Sequence, residues 1–598
     1  MAYLTKSDFK AGQNCPTSLY YAKRGYPSIN DDNPYLEFLA DGGYMVETMA
    51  KLLFPEGQSA ERSGDPQIDS ARTVRAVETG DCTLFEATVT HGNLLVRVDV
   101  LRRVGKQLHV IEVKASSVHS IEDGANPFRG ARGGIKSDWR EYIEDVAFQT
   151  IVLSRAFPSY EIVPHLYLVD KAKTATANNT FDKFRLRGKD HCLPQVEYLG
   201  DVTQLRQEHL LASYCVSDVV AEIRQEVSAA LDRFAATITE AGIIKIAPEI
   251  GRKCKKCEYR IDEAERNGFA ECWQEHAFVN PHILDLYRID LVGGKKRDAV
   301  ADFVTAGNSL LTEVPLEMLS GKTGERQKIQ IEATARNQEY VSQKLRSILQ
   351  SLPGPHHFID FEGSRLAIPF SPRMRPYEQA LFQWSCHTVA APDGEITHSE
   401  WLNCDEPFPN FEFARQLKNQ LGREGTVYIW SPYELVAFRD IRQQMEKYGF
   451  DDADLALWLE EMGAEDNPRI VDLCELVKEH YFHPMMGGQT SIKKVLPAVW
   501  TTNGQVREHE LFRKYVRYDA AGNLMSPYTA LPPLPIAAKE EVVKEGTGAM
   551  RVYQEMMFGR SRNDPAIRQA YRQLLLQYCE LDTAAMVAVW MHWLSLEP

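Results

Sequence analysis

Apolar residues dominate three closely spaced stretches in the first part of the chain, and short turns separate them. The stretches cover residues 83–90, 94–102 and 107–114, and they are rich in Val, Leu, Ile, Phe and Thr. Such runs between Gly- and Asn-containing turns predict β-strands. Apolar residues at helical spacing follow over 138–157, and residues 163–169 again have the composition of a strand. This succession predicts a mixed α/β domain.

A second group of strands begins after the turn sequence PGP at residues 353–355. Residues 357–362, 379–389 and 426–430 have strand composition, and residues 564–596 have the apolar spacing of one long helix. The same helical periodicity predicts three further helices: 42–54, 212–241 and 327–352.

These patterns predict an α/β (α+β) fold class and a division of the chain into three parts. The parts are an N-terminal domain over 1–275, a mostly helical connector over 276–350 and a C-terminal domain over 351–598. A length of 598 residues agrees with two or three domains. A hydrophobic fraction of 44% and a charged fraction of 25% are typical of a globular protein, so a disordered chain is excluded.

The formal net charge of −15 argues against a general nucleic-acid coat protein, because phosphate contacts need Lys and Arg. It does not exclude a nuclease, since a local basic groove can exist on an acidic protein. The N-terminal residues lack the apolar segment of a secretory signal, and no uninterrupted apolar run is long enough to span a bilayer. We therefore expect a cytoplasmic protein without a membrane partner, whose 11 cysteines are kept reduced.

Candidate chemistry begins at Asp99, in the strand sequence RVDVL, and at Glu112 and Lys114, in the strand sequence IEVK. Glu112 and Lys114 are two residues apart on one strand, so their side chains point to the same face, and the turn at Gly105 can bring Asp99 beside them. Two carboxylates can bind Mg²⁺ or Mn²⁺, and the lysine can orient a metal-activated water. An E-x-K sequence is also typical of a solvated strand face. Here it interrupts an apolar strand, where burying a charge is energetically unfavourable unless the charge has a function.

These two strands and a glutamine on the following helix resemble the RecB-like and Cas4-like branch of the PD-(D/E)xK nuclease superfamily. The resemblance implies a restriction-endonuclease-like core with these catalytic residues: Asp99, Glu112, Lys114 and Gln149. It also implies a further metal ligand on an early helix, for which Glu47 is the candidate, and Glu86 on the preceding strand could also reach the site. The branch usually has a tyrosine four residues after the glutamine, where this chain has Leu153.

Four cysteines flank this predicted core: Cys15, Cys254, Cys257 and Cys272. The C-x-x-C spacing of the second and third can place two thiolates on one metal, and zinc, an iron–sulfur cluster or ordinary thiols all remain open. The RecB-like branch has one cysteine before the core and three after it, so the resemblance implies a structural 4Fe–4S cluster. The sequence GFAECW at 268–273 also resembles the DUF2779 family of RecB-like nucleases, in which such a stretch closes the cysteine motif.

A second set of acidic residues lies in the C-terminal domain. Asp360 and Glu362 share one face of a strand, and Tyr578 and Asp582 are four residues apart on a helix and share its face. This combination resembles the DEDD exonucleases of the RNase H-like fold, in the variant with a tyrosine in the last motif. The resemblance implies two Mg²⁺ ions on four acids and cleavage from the 3′ end. The second motif, WSPYE, ends in Glu434 where that family has aspartate.

The leading interpretation is therefore a Mg²⁺- or Mn²⁺-dependent nuclease that hydrolyses DNA, at single strands or ends, in DNA repair or in defence against foreign DNA. One alternative is a catalytically degenerate protein that binds nucleic acid or acts as a scaffold with a protein partner, which Glu434 and Leu153 favour. A further alternative is an exonuclease directed to RNA.

Overall fold

The computed structural model describes residues 2–31, 33–124, 126–187, 195–261, 265–294, 297–391, 394–405, 408–536, 539–559 and 562–596. The chain divides into two compact units. The first unit comprises Met1–Glu249, Cys257–Gln274 and Leu366–Glu378, and the second comprises Ile250–Lys256, Glu275–Arg365 and Gln379–Pro598. Both units combine helices with mixed β-sheets, which confirms the predicted α/β class.

The helices of the first unit are α1 (Lys6–Asn14), α2 (Ser18–Lys23), α3 (Pro34–Lys51), α4 (Pro66–Thr79), α5 (Ser137–Ala156), α6 (Val202–Glu208), α7 (Ser217–Ala235) and α8 (Gly268–Trp273). Its strands are β1 (Gln58–Ser59), β2 (Cys82–His91), β3 (Leu94–Val104), β4 (Gln107–Val118), β5 (Glu161–Asp170), β6 (Phe184–Arg187), β7 (Gln195–Tyr198), β8 (Leu211–Cys215), β9 (Ile238–Thr239) and β10 (Gly242–Ile243).

Six strands of the first unit form one mixed sheet in the order β1-β2-β3-β4-β5-β8. The strands β2, β3 and β4 are antiparallel neighbours, and β5 runs parallel to β4. A parallel pair needs a crossover connection, and α5 supplies it between β4 and β5. The three strand-like stretches seen in the sequence are thus adjacent in the sheet.

Two apolar layers cover the two faces of this sheet. Leu108 and Val110 of β4 belong to a core shared with α1, α5 and α7, whereas Ile111 and Val113 belong to a core shared with α3. This alternation follows from the strand period of two. It places Glu112, which is even-numbered like Leu108 and Val110, on the face that α5 covers.

The helices of the second unit are α9 (Ala299–Thr305), α10 (Gly321–Arg336), α11 (Leu345–Ser351), α12 (Asn410–Leu421), α13 (Tyr433–Tyr448), α14 (Ala453–Gly463), α15 (Leu473–His480), α16 (Ile492–Thr502), α17 (Gly504–Glu508), α18 (Glu510–Arg513), α19 (Pro527–Ala530), α20 (Gly546–Phe558) and α21 (Pro565–Ser595). Its strands are β11 (Tyr340–Val341), β12 (His356–Arg365), β13 (Gln379–Val389), β14 (Ile396–Leu402), β15 (Thr426–Ile429), β16 (Ile470–Asp472), β17 (Tyr481–Phe482), β18 (Leu534–Ile536) and β19 (Lys539–Glu541).

Five strands of the second unit form a mixed sheet in the order β14-β13-β12-β15-β16. The strands β12, β13 and β14 are antiparallel neighbours, while β15 and β16 run parallel to β12. Ile359 and Phe361 of β12 are buried in a core with α12, α13 and α14. The residues between and after them, Asp360 and Glu362, therefore face the opposite side of the sheet, where α21 packs.

The helix α21 is apolar along most of its length. In the described part of the chain it is the one helix with the length and composition to cross a membrane, but 78% of its most apolar window is buried inside the protein. Such burial is typical of the core helix of a soluble protein. The long predicted helix over 564–596 is thus a central element of the second unit.

Three helices begin with the same local signal, an Asn or Asp followed by proline. Asn33, Asp65 and Asp564 cap α3, α4 and α21, and the side-chain oxygen of each accepts a hydrogen bond from the first-turn backbone. Proline at the first helical position has no N–H that needs a partner and already has a helical φ. The predicted helix over 42–54 therefore starts earlier, at Pro34, and continues through Gly42 and Gly43.

Two other predicted helices are wrong in part. Residues 211–215 form β8 rather than the start of a helix, because pairing with β5 satisfies their backbone groups. The helix predicted over 327–352 is interrupted after Arg336, where Asn337 takes a left-handed conformation with φ of 49°. Asparagine tolerates this conformation better than most residues, so it ends α10, and α11 is a separate helix.

The segment Leu366–Glu378, which joins β12 to β13, belongs to the first unit. Ile368 is 1% exposed and lies in the core that contains α3, and the Tyr377 hydroxyl donates a hydrogen bond to the Ala115 carbonyl, next to Lys114. Backbone hydrogen bonds also join it to the 175–181 region. The core of the first unit is thus completed by residues that lie far along the sequence.

We predict that Ile368→Ala lowers the free energy of unfolding of the first unit by about 2–4 kcal/mol, because it removes buried methyl groups and leaves a cavity. Ile121→Ala is the matched control, since Ile121 is 78% exposed and its truncation should change stability by no more than about 0.5 kcal/mol. Urea denaturation of the full chain measures both. Equal midpoints for the two variants would contradict the stabilising role of the segment.

Candidate metal centres

Three carboxylates of the second unit converge at one point. Asp360 and Glu362 come from β12 and Asp582 comes from α21, and each offers an oxygen that lies within 4.8 Å of the oxygens of the other two. Glu362 is 7% exposed and Asp582 is 6% exposed. Buried carboxylates at this separation repel one another unless a cation lies between them. The group is therefore a candidate site for a divalent cation.

Local features of β12 set the position of Glu362. The register between β12 and β13 shifts between Glu362 and Gly363. A β-carbon at Gly363 would lie within 2.5 Å of both the Gln379 amide nitrogen and the Tyr433 hydroxyl, so any other residue there would displace both groups. The helix α20 begins beside Glu362, because a β-carbon added to Gly546 would lie 3.4 Å from Glu362 Oε2.

The protonation of these acids reflects their burial and their mutual repulsion. Burial, together with the charges of Asp582 and Glu362, raises the pKa of Asp360 well above its ordinary value. Burial and the charge of Asp582 raise the pKa of Glu362 to about 8. Burial also raises the pKa of Asp582, although Lys493 and a hydrogen bond from Tyr528 oppose the increase. Raised values of this kind are common at functional sites.

Glu434 lies near this group, at the start of α13. Its charge contributes to the raised pKa values of Asp360 and Glu362, and burial raises its own pKa to about 8. Glu434 is 3% exposed, and its Oε2 has no hydrogen-bond partner among the described residues. A buried carboxylate oxygen without a partner is costly, and a cation would satisfy it. The all-oxygen donor set therefore fits Mg²⁺ or Mn²⁺.

Tyr578 and Lys493 form the neighbouring part of the site. Lys493 Nζ lies 3.0 Å from the Tyr578 hydroxyl and donates a hydrogen bond to it. The same ammonium lies 5.2 Å from the centre of the Tyr578 ring and 5.6 Å from that of Tyr528. Burial and the charge of Asp582 raise the pKa of Tyr578 well above its ordinary value, so its hydroxyl is a donor and not a base.

Two further side chains hold the carboxylates in place. The Tyr528 hydroxyl donates to Asp582 Oδ1, and the Cys579 thiol donates to Asp360 Oδ2 over 3.6 Å. Asp472 has a different role, since its Oδ1 caps α15 by accepting from the backbone N–H of Cys474 at 2.8 Å.

The first unit brings its predicted residues together as well, but with different partners. Asp99 on β3 accepts a hydrogen bond from the Val113 N–H at 2.8 Å, at the point where β3 and β4 stop pairing. Glu112 is 1% exposed, and its carboxylate interacts with Lys6 and with Lys114. Burial opposes ionisation, but Lys6 and Lys114 outweigh it and lower the pKa of Glu112 to about 2.

Helix α5 completes the surroundings of Glu112 and Lys114. Gln149 donates to Glu112 Oε2 from its amide nitrogen, and Lys114 Nζ lies 2.7 Å from Asp145 Oδ2. Gln149 is fully buried, as is Leu153 one turn later, which belongs to the core. At Leu153 the chain thus has a packing residue where the RecB-like branch has a tyrosine.

The close group of acids in the first unit is Glu47, Glu86 and Asp99, whose oxygens lie within 4.8 Å of one another. Burial, a hydrogen bond with Glu86 and the charge of Asp99 raise the pKa of Glu47 to about 9. Burial and Glu112 raise the pKa of Asp99 to about 7. Glu86 has a left-handed backbone with φ of 55° inside β2, which is rare outside glycine. These oxygen donors also fit a hard divalent cation.

Three of the four predicted cysteine ligands belong to the first unit and lie near two buried tyrosines. Cys15 ends α1, and Cys272 lies in α8 with its sulfur 3.2 Å from the Tyr21 hydroxyl. The charges of Cys257 and Cys15 are among the causes, after burial and Glu258, that raise the pKa of Tyr259. Cys254 lies in a short turn assigned to the second unit. Sulfur donors of this type suit zinc or an iron–sulfur cluster.

Comparison with known proteins adds one finding. A family model described as "Domain of unknown function (DUF2779)" matches residues 357–491. This range contains Asp360, Glu362 and Glu434 but not Asp582. No curated protein and no solved structure matches the chain significantly.

Sequence reasoning did not identify Lys6, Asp145 or Tyr528 as part of these sites. Lys6 is 106 positions from Glu112 along the chain, and no local pattern connects the two. Glu86 could be identified as a candidate from the sequence, because it is an acidic residue inside an apolar strand. Tyr528 lies in a short helix within an irregular region, where a tyrosine alone carries no functional information.

The raised pKa of Glu362 predicts how stability depends on pH. The pKa of Glu362 is about 8 in the folded state, against an ordinary value of 4.5. The contribution of protonated Glu362 to the stability of the fold is therefore complete below about pH 4.5 and is lost as the pH rises through 8. We expect the metal-free protein to lose thermal stability over this range, and Glu362→Gln to lose less. Calorimetry in the presence of a chelator measures this difference.

Exposed Glu424 provides the control for that experiment, because Glu424→Gln removes the same charge outside the buried group. Its melting temperatures should follow those of the wild type across the pH range. If Glu362→Gln also followed the wild type, the mutual repulsion of the buried acids would not be a determinant of stability.

Proposed function

We propose that this protein is a Mg²⁺- or Mn²⁺-dependent nuclease that hydrolyses DNA at single strands or ends. The observation that carries the proposal is the buried group of Asp360, Glu362 and Asp582, joined by the unpartnered Oε2 of Glu434. Three carboxylates this close together, two of them buried, destabilise a metal-free fold, so their presence favours a role in cation binding. The resemblance to the DEDD exonucleases supports cleavage from the 3′ end.

In this proposal each residue has a distinct task. Bound divalent cations would activate water and neutralise charge on the phosphate. Asp360, Glu362, Glu434 and Asp582 would hold them. Tyr578 would donate a hydrogen bond to the attacking water or to a phosphate oxygen, and Lys493 orients the Tyr578 hydroxyl. The water oxygen would bond to phosphorus as the water loses a proton to solvent, the bond from phosphorus to the 3′ oxygen would break, and the leaving 3′ oxygen would take up a proton from solvent.

The first unit supports a second, independent cleavage site of the RecB-like type. Glu47, Glu86 and Asp99 would bind the cation, and Lys114 would orient the attacking water beside them. Glu112 differs from the prediction, since Lys6, Lys114 and Gln149 already engage its two oxygens. Glu47 and Glu86 also have a cationic partner, Lys51. We propose Glu86 as a ligand in addition to Glu47 and Asp99, with the cation taking the place of Lys51, and Glu112 as a further ligand if the cation also takes the place of Lys6.

Nuclease assays on 5′-labelled single-stranded DNA test the two sites separately. We expect Asp360→Asn to lower 3′-end degradation by about 100-fold or more, because loss of a metal ligand removes several kcal/mol of transition-state stabilisation. Asp99→Asn should abolish the cleavage that the first unit performs, and the double variant should be inactive. A matched RNA strand shows which polymer the protein prefers.

Asp451→Asn and Asp138→Asn are the controls, since both aspartates are exposed, one in each unit. Both should cleave like the wild type. A wild type that binds DNA tightly but cleaves neither polymer would overturn the enzymatic proposal and favour a nucleic-acid-binding or scaffold protein. Cleavage retained in the Asp360→Asn and Asp99→Asn double variant would place the chemistry elsewhere.

For the cysteines we propose a structural 4Fe–4S cluster on Cys15, Cys254, Cys257 and Cys272. Protein purified without oxygen should contain about four iron atoms per chain, and Cys257→Ser should lower that content. Cys215→Ser is the control, because Cys215 is exposed. One zinc per chain in place of iron would support the zinc alternative, and neither metal would leave the cysteines as ordinary thiols.

A further inference from the structure

Tyr528 contacts the carboxylate group of the second unit from a helix that the sequence motifs do not include. It lies in α19, it is 6% exposed, and its hydroxyl donates to Asp582 Oδ1. Asp582 is itself 6% exposed, so water does not freely replace this hydrogen bond. Tyr528 and Asp582 are 54 positions apart along the chain. None of the acidic sequence motifs includes α19, so the sequence alone does not connect the two residues.

Asp582 has two oxygens and several neighbours of different kinds. Asp360 and Glu362 lie within 4.8 Å and repel it, while Lys493 attracts it. A carboxylate in such surroundings can rotate about its terminal bond, since that torsion is broad. The hydrogen bond from Tyr528 to Oδ1, together with an interaction with Tyr578, restricts this rotation. Hydrogen bonds from neighbouring side chains commonly orient carboxylates that bind metals.

We propose that Tyr528 is a positioning residue that holds Asp582 in the orientation required for cation binding. This inference rests on the proposed function of the second-unit site. Tyr528 acts through Asp582 and not on the substrate. Its ring also lies against the Lys493 ammonium, at 5.6 Å from the ring centre, so the hydroxyl and the ring have separable contacts.

Replacement by phenylalanine keeps the ring and removes only the hydroxyl. In the full chain carrying Asp99→Asn, we expect Tyr528→Phe to weaken Mn²⁺ binding, measured by calorimetry, by about 10-fold. We also expect a lower kcat with an unchanged KM for DNA, restored in part by raising the Mn²⁺ concentration. A residue that only stabilised the fold would change the melting temperature without this dependence on Mn²⁺.

Tyr515→Phe is the matched control. Tyr515 is also 6% exposed, and its hydroxyl has no hydrogen-bond partner among the described residues, so its loss should leave the Mn²⁺ affinity at the parent value. Equal Mn²⁺ affinities for Tyr528→Phe and Tyr515→Phe would overturn the role of Tyr528.

Asp360→Asn in the same background distinguishes failure of the metal site from failure of the role of Tyr528. If it abolishes Mn²⁺ binding while Tyr528→Phe does not weaken it, the inference about Tyr528 fails and the metal site stands. If Asp360→Asn leaves Mn²⁺ binding unchanged, the proposed metal site fails, and the role of Tyr528 fails with it.

Discussion

Repulsion between buried carboxylates is the constraint around which the second unit is organised. Asp360, Glu362 and Asp582 are close together, and the last two are buried, so the folded chain must supply enough other stabilisation to keep them there. The apolar packing of β12 on one side and of α21 on the other supplies it. Lys493, Tyr528 and Cys579 then set the orientation of individual groups. A fold that tolerates this arrangement without a cation is well suited to bind one.

The two candidate centres differ in how their charges are balanced. In the first unit Glu112 is ionised, because Lys6 and Lys114 hold its pKa at about 2. Glu47 and Glu86 both pair with Lys51, and Glu86 also pairs with Arg62. In the second unit no lysine bonds directly to Asp360, Glu362 or Asp582 in the described structure. The carboxylates of the second centre thus lack the directly bonded cationic side chains of the first centre, which makes the second the stronger candidate for cation binding.

Core packing accounts for Leu153, which stands where the RecB-like branch that the first unit resembles usually has a tyrosine. Leu153 is fully buried and belongs to the core that α5 shares with its neighbours, so its side chain packs there and does not face solvent. The second unit has Glu434 where the family that it resembles has aspartate, and this difference has another consequence. Glu434 lies near enough for its charge to raise the pKa values of Asp360 and Glu362, although it is outside the set of three whose oxygens lie within 4.8 Å of one another.

The sequence by itself determined the mixed α/β class, the main strands of both sheets and the acidic motifs, because strand period and helix period are local properties. It also indicated the shared faces of Glu112 with Lys114 and of Tyr578 with Asp582. Only the tertiary structure decided that Lys6 and Gln149 engage Glu112, that Tyr528 holds Asp582 and that Ile368 completes the core of the first unit. These contacts join residues that are far apart in the chain, and the pairing depends on how sheets and helices pack, which no local pattern encodes.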